Sequence, residues 1–290
     1  MVITTPVFRE LKLAYPEINI TVLASKVNQG VLLNNPYVNE VFTNHKNNFF
    51  IDLPTLLKLR KKQFDVCVEF EHSVIPHAIL RLMIIKPKKI LSVIKEGRYG
   101  VNGNELKLYD YFTKKPKDAH FRDIWLGLLE PFGINPKSRD YDLFVTNEQN
   151  IIAQKFVKQF PSKFLIGINL EGAVKGKKIE SSELFQICQG LNDQTKNIQI
   201  IILSAPDNFQ SAITKVKQMA LNNVEVGYKT DRILDVAALI NHLDLIITPD
   251  TSIAHIASAF NKPVVTIHEN NQDSFHLFAP ISSLNRTVFS

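Results

Sequence analysis

The chain has 290 residues, of which 45% are hydrophobic and 21% are charged, as is typical of soluble globular proteins that bury a core. No apolar run approaches the roughly 18 residues of a membrane span. The opening, MVITTPVFRELK, lacks the basic start and apolar core of a signal peptide. We therefore expect a cytoplasmic protein of one large domain or two ordinary ones.

The net charge of +6 favours anionic partners, such as a sugar nucleotide, a phosphorylated glycolipid or the anionic surface of a membrane. Nucleic acid is another anionic class, but the chain has no recognition-helix pattern and no stripe of interleaved aromatic and basic residues, so we expect no nucleic-acid partner. The two cysteines, Cys67 and Cys188, lie in apolar segments without the spacing of metal ligands. We expect both to be buried, and we expect no metal site.

The first half of the chain alternates between helical and extended patterns. Apolar spacing and turn residues predict helices over 7–14, 27–33, 53–62, 76–85 and 119–132, and strands over 18–24, 38–42, 64–70 and 89–94. The segment 96–117 is irregular. Such alternation indicates a parallel sheet with helices on both faces. We take residues 1–140 as an N-terminal Rossmann-like domain and 133–141 as the start of a linker.

The second half repeats the alternation. It predicts helices over 147–160, 181–191, 209–221 and 234–240, and strands over 164–169, 198–203, 224–226, 243–247 and 264–267. Residues 141–290 thus form a second Rossmann-like domain, and the predicted fold class is α/β, with the two domains facing a cleft. Because ligands bind outside the carboxyl ends of such strands, the turns after Asn169, Leu203 and Ile247 should converge on one nucleotide site.

The last of these turns, Thr248 to Ser252, is rich in small polar residues and precedes a helix with apolar residues at helical spacing. Its free backbone N–H groups and the positive end of the helix dipole suit a phosphate or carboxylate. Asp, Thr and Ser are also ordinary helix caps, and His255, one turn later, fits an ordinary half-buried histidine. The residues alone leave both interpretations open.

The segment TPDTSIAHIASAFNKPVV resembles the D-T-[GS]-x-x-H-x-x-[AS]-A-x-x-x-P motif of glycosyltransferase family 9, the ADP-heptose:lipopolysaccharide heptosyltransferases. The opening VITTPVFRELKLAYPEINITVLASKVNQGVLLNNPYVNEVF, the segment IGINLEGAVKGKKIESSELFQICQGL and the strand and loop IIILSAPDN are also similar to this family. The resemblance implies the GT-B architecture and a metal-independent, inverting enzyme without a cofactor. Its donor would be a nucleotide sugar, ADP-heptose by this resemblance, and its acceptor the lipopolysaccharide core.

The resemblance also implies roles for particular residues. Lys177 falls where the family has its phosphate-binding lysine, with Lys175 and Lys178 as alternates, although such a basic loop is also typical of a solvated charge run. The remaining donor-side residues are Asp250, Thr251, Ser252 and His255, and weaker nucleotide-side assignments are Gly172, Asp207 and Asn208. Thr4 and Thr5 are weak assignments on the acceptor side.

The sequence also departs from the family pattern. The family begins with a strand and a glycine-containing loop that ends in Gly-Asp, just before the segment similar to residues 2–6, and that Asp is its presumed base. Ile179 and Glu180 replace the usual Trp-Pro, and family members continue beyond the last strand. We therefore expect a chain truncated at both ends, with its first strand and its base absent. A nucleotide-sugar-binding relic and a GT-B-like epimerase are the alternatives to an active heptosyltransferase.

Overall fold

The computed structural model describes residues 1–45, 49–98, 100–170, 178–270 and 272–289. These residues form two compact units. Unit 1 comprises Met1, Ile3–Arg139 and His276–Phe278, and unit 2 comprises Val2, Asp140–Phe275 and Ala279–Ser290.

Unit 1 consists of short parallel strands connected by helices. Its helices are α1 (Thr5–Ala14), α2 (Phe49–Lys61), α3 (Pro76–Ile85) and α4 (Phe121–Leu126). Its strands are β1 (Thr21–Ser25), β2 (Glu40–Asn44), β3 (Val66–Glu69), β4 (Lys89–Val93) and β5 (Tyr111–Thr113). Pro6 and Pro76 lie in the first turns of α1 and α3, where a missing N–H is tolerated.

The strands of unit 1 form two separate parallel sheets, β1–β2 and β3–β4–β5. Among the described residues, β1 pairs with β2 alone and β3 pairs with β4 alone. Every residue of β3 is only half-buried. These two strands therefore each have one edge without a partner in the described part of the chain.

Unit 2 contains one parallel sheet of six strands. The strands are β6 (Phe164–Asn169), β7 (Ile198–Leu203), β8 (Val224–Val226), β9 (Leu245–Pro249), β10 (Val264–His268) and β11 (Asn285–Phe289). The helices are α5 (Asn147–Val157), α6 (Ser181–Gln194), α7 (Phe209–Met219), α8 (Ile233–Asn241), α9 (Ser252–Ala259) and the first part of α10 (Gln272–Phe278), whose last three residues belong to unit 1. The strand order is β11-β10-β9-β6-β7-β8, so the first strand of the unit lies at its centre, as in a doubly wound fold.

The centre of the unit 2 sheet is buried on both faces. All six residues of β7 and five of the six in β6 are buried, which explains why these strands read as continuous apolar runs instead of alternating patterns. Gly167 stands in the middle of β6 because space is short there: a Cβ atom would lie 2.6 Å from Leu243 Cδ1 and 3.0 Å from Ile246 Cδ1. Close packing thus fixes β6 beside β9.

Comparison with the predicted elements shows where local patterns mislead. The predicted helix 119–132 is α4 followed by a 3-10 helix from Gly127 to Phe132, because Pro131 cannot continue an α-helical ladder. The predicted strand 243–247 begins two residues later, at Leu245. Strand β5 lies inside the segment predicted to be irregular, and α10 was not predicted.

None of the helices in the described part of the chain has both the length and the apolar character of a membrane span.

Candidate functional site

The turn between β9 and α9 presents the start of a helix at the carboxyl end of a central strand. Thr251 is the N-cap of α9, and its Oγ1 accepts a hydrogen bond from the N–H of Ile253 (3.2 Å). Ser252, the first residue of the helix, is exposed. The hydroxyl of Thr251 therefore serves the cap, while the hydroxyl and the N–H of Ser252 lie where an anion would bind.

A buried hydrogen-bond network connects this turn to the neighbouring strand. Asn169, the last residue of β6, donates from Nδ2 to Thr248 Oγ1 (3.0 Å) and to Thr251 Oγ1 (3.2 Å). The two threonine hydroxyls are themselves 3.1 Å apart, and that of Thr248 donates to the carbonyl of Pro249 (2.9 Å). Because Asn169 and Thr248 are buried, the network holds the cap residue in place from the sheet side.

Asp250 lies between this network and the next strand. Its N–H donates to the carbonyl of Ile267 in β10 (3.0 Å), and its carboxylate Oδ2 is 3.9 Å from Nδ1 of the buried His268, the last residue of β10. The carboxylate thus lies near a neighbouring strand end, and the N-cap of α9 is Thr251.

His255 lies on α9, one turn after the cap, and is half-buried. Its ring makes an edge-to-face contact with the buried Tyr141, with ring centroids 6.1 Å apart. The helix therefore places His255 on the side of α9 that packs against Tyr141.

The other nucleotide-side residues have separate locations. Asp207 and Asn208 are exposed in a 3-10 turn that directly follows β7. Since β9, β6 and β7 are adjacent parallel strands, this turn lies at the same edge of the sheet as Asn169 and Thr251. The structure therefore brings Asp207, Asn208 and the α9 turn to one edge, as expected for the carboxyl ends of parallel strands.

The loop that contains Lys175, Lys177 and Lys178 lies only partly within the described residues. Gly172, Lys175 and Lys177 lie outside the described residues. Lys178 is exposed, and its Nζ forms an ion pair with Glu180 Oε1 (2.6 Å). Lys178 is thus engaged at the surface with the residue that precedes α6.

On the acceptor side, Thr4 and Thr5 are buried in unit 1 at the start of α1. The hydroxyl of Thr4 donates to the carbonyl of Met1 (2.7 Å). Both threonines therefore help to form the entry into α1, and their role toward an acceptor stays a prediction.

Unit 1 also has an ion pair between a buried lysine and a half-buried glutamate at the carboxyl ends of β3 and β4, which the sequence patterns did not reveal. Lys95 Nζ lies 2.6 Å from Glu69 Oε2 and donates to the carbonyl of Glu71 (2.6 Å). Ser92 Oγ donates to Glu69 Oε2 (3.1 Å). Because the Lys95 ammonium has these partners, its burial is tolerated and the two strand ends are held together.

The described residues contain no cluster of His, Cys, Asp and Glu that could hold a metal ion. At the unit 2 edge, the hydroxyl and the N–H of Ser252 are suited to binding an anion, and the carboxylates of Asp207 and Asp250 lie at the same edge. An arrangement of this kind can stabilise a diphosphate as negative charge develops on it.

Comparison with known proteins decides the family. The sequence pattern of glycosyltransferase family 9 (heptosyltransferase) matches residues 56–289. The chain belongs to glycosyltransferase family 9. The protein is therefore a transferase, and family membership does not support the epimerase alternative.

Individual members of the family agree with this assignment. The chain is 24% identical over 258 residues to the lipopolysaccharide core heptosyltransferase OpsX of Haemophilus influenzae, covering 88% of this chain and 71% of that protein. The crystal structure of the family 9 glycosyltransferase of Veillonella parvula matches with a TM-score of 0.80 at 17% identity, covering 99% of this chain and 83% of the other. The structure of E. coli heptosyltransferase WaaC with ADP matches with a TM-score of 0.74 at 14% identity, covering 100% and 89%. The predicted α/β fold class is confirmed.

Within this family 9 chain, sequence reasoning missed Asn169, Thr248 as a partner of the cap, and His268. Two of them had a usable signal, since Asn169 and His268 are polar residues that end otherwise apolar strands. A polar residue at the carboxyl end of a central parallel strand faces the ligand edge, and this position could have identified both.

Proposed function

We propose that this protein transfers heptose from ADP-heptose to the inner core of lipopolysaccharide, with residues 141–290 binding the donor and residues 1–140 the acceptor. The observation that carries the proposal is the start of α9, where exposed Ser252 follows a cap residue held by Asn169. The names of relatives support the chemistry, since OpsX is described as a core heptosyltransferase and WaaC was solved with ADP.

In this proposal the start of α9 binds the diphosphate. The N–H of Ser252 donates to a phosphate oxygen, and this hydrogen bond strengthens as the sugar leaves. Asp207 and Asn208 contact the ribose or the base, and Asp250 and His255 complete the donor side. Lys177 supplies the countercharge, and no metal or cofactor takes part.

The acceptor hydroxyl must lose a proton to a base. Glu10 in α1 is a poor choice, because it is buried and its carboxylate accepts hydrogen bonds from the N–H groups of Lys137 (2.8 Å) and Ser138 (3.3 Å). We therefore do not assign the base to Glu10. A relic that binds the donor without transferring the sugar is the alternative.

Because the acceptor is a glycolipid, we propose that the protein works in the cytoplasm, in peripheral contact with the inner face of the inner membrane. Binding of the donor nucleotide can be tested independently of this location by calorimetry with ADP. Sugar transfer can be tested by measuring the release of ADP from ADP-heptose in the presence of a truncated lipopolysaccharide acceptor.

The role of the α9 N–H groups is tested with the pair Ser252→Pro and Ser252→Ala. Both remove the hydroxyl, but only proline removes the N–H. Proline is tolerated at the first position of a helix, and Thr251 already has the extended backbone that precedes a proline (φ −141°, ψ 175°). We expect the proline variant to weaken ADP binding by about tenfold relative to the alanine variant, or about 1.4 kcal/mol.

Equal ADP affinity in the two variants would show that the Ser252 N–H does not bind the diphosphate. Normal ADP binding by the wild type without any sugar transfer would favour the relic.

A further inference from the structure

Helix α2 of unit 1 is apolar on the side that faces away from the core as well as on the side that faces it. Leu56 and Leu59 are fully buried, whereas Phe50, Ile51 and Leu57 are exposed, Phe50 to 84%. Phe50 and Leu57 are seven residues apart and so lie on the same outer face. A helix on the surface of a soluble protein normally carries polar residues on its solvent-facing side.

Helix α3 continues this apolar surface. Leu80 and Met83 are three residues apart on its outer face, and both are exposed, Met83 to 59%. The two helices pack against each other, and Arg60 Nη1 at the end of α2 donates to the carbonyl of Ile84 in α3 (3.3 Å). We call the exposed side chains of Phe50, Ile51, Leu57, Leu80 and Met83 the α2–α3 face.

The carboxyl ends of both helices carry a concentration of positive charge next to this face. Residues 58–62 and 86–89 together contain seven basic side chains, which are Lys58, Arg60, Lys61, Lys62, Lys86, Lys88 and Lys89. Among the described residues, the ion pairs of these cations are Lys62 with Glu40, Lys88 with Asp65 and Lys89 with Asp110. Since only three of these seven basic side chains have a carboxylate partner in the ion pairs named, the helix ends next to the α2–α3 face carry a net positive charge.

We propose that the α2–α3 face docks the protein on an anionic lipid bilayer. Exposed aromatic and aliphatic side chains next to clustered lysines are the combination by which helices bind at the level of the lipid headgroups. Each lysine near an anionic surface strengthens binding by about fivefold. The charge also argues against a second copy of the chain as the occupant, because the basic residues of the two copies would repel each other.

The test is co-sedimentation of the full chain with phosphatidylcholine vesicles that do or do not contain phosphatidylglycerol. One variant removes apolar contacts (Phe50→Ser/Leu57→Ser/Met83→Ser), and its control makes the same changes at exposed residues of unit 2 (Ile151→Ser/Ile152→Ser/Leu284→Ser). A second variant reverses charge (Lys61→Glu/Lys86→Glu), and its control is Lys155→Glu/Lys158→Glu in the last turn and at the C-cap of α5. Circular dichroism and Tm verify that all variants are folded.

We expect the wild type and both controls to bind anionic vesicles and to bind neutral ones weakly. The serine variant and the charge-reversal variant should each lose at least about tenfold in vesicle affinity. If either variant binds like its control, the α2–α3 face is not the docking surface. If the wild type is a dimer that the serine variant converts to a monomer, and neither binds vesicles, a second copy covers the face and the proposal is wrong. ADP binding in unit 2 is measured separately, so failure here leaves the proposed donor site untouched.

Discussion

Replacing Asn169 by alanine tests whether the buried network at the β6–β9 edge positions the donor site or only stabilises the fold. Asn169 donates two hydrogen bonds, to Thr248 and Thr251. A typical intramolecular hydrogen bond contributes about 0.5–1.5 kcal/mol, so the substitution should cost about 1–3 kcal/mol of unfolding free energy. The two hydroxyl oxygens keep other partners, which are the N–H of Ile253 and the carbonyl of Pro249, so no larger penalty for an unpaired buried group is expected.

The effect on the donor follows from the position of Thr251. Without Asn169, the cap residue loses its connection to the sheet, and the N–H groups that begin α9 are less well oriented. We expect the dissociation constant for ADP to rise by about tenfold, or about 1.4 kcal/mol. In steady-state assays, KM for the donor should rise more than kcat falls, because a positioning residue acts on binding of the ground state as well as of the transition state.

A matched control variant separates an effect on the orientation of the donor site from an effect on the stability of the fold. Asn192 in α6 exchanges two side-chain hydrogen bonds with Asn223 (3.1 and 2.6 Å), away from the α9 turn. Asn192→Ala should therefore lose a similar amount of stability in urea denaturation but keep its affinity for ADP in calorimetry. If Asn169→Ala also keeps full ADP affinity while losing stability, the network is purely structural and the positioning argument is refuted.

Three further predictions concern unit 2: the close packing around Gly167, the protonation of His242 and the reactivity of the Cys188 thiol. Gly167→Ala should destabilise the protein by about 1–3 kcal/mol in urea denaturation, because its Cβ would collide with buried side chains, whereas Gly190→Ala, in an open helical position, should stabilise it slightly. Burial lowers the pKa of His242, so the unfolded state binds more protons at acid pH, and the free energy of unfolding should fall as the pH drops below about 6.5. His242→Gln should flatten this part of the pH profile, and an unchanged profile would assign it to other groups. Burial raises the pKa of Cys188 to about 11, so this thiol should react with a thiol reagent at neutral pH only after unfolding.

Local sequence patterns determined the α/β class and the type of most elements. Alternating apolar runs and helical periods are properties of short segments, and the burial of β6 and β7 on both faces leaves a mark in each strand separately. The turn before α9 was also predictable, because a cap residue such as Thr251 acts on N–H groups only two residues away.

The tertiary structure decided which residues meet at this turn. Asn169 and Thr251 are 82 positions apart, and they touch because β9 pairs not only with β10, the next strand in sequence, but also with the distant strand β6. No local pattern encodes that pairing, which depends on the packing of the whole sheet. For the same reason the exposure of Phe50 and Met83 could not be read from the sequence: apolar residues on both sides of a helix look like a buried helix until the neighbouring elements fix which side is covered.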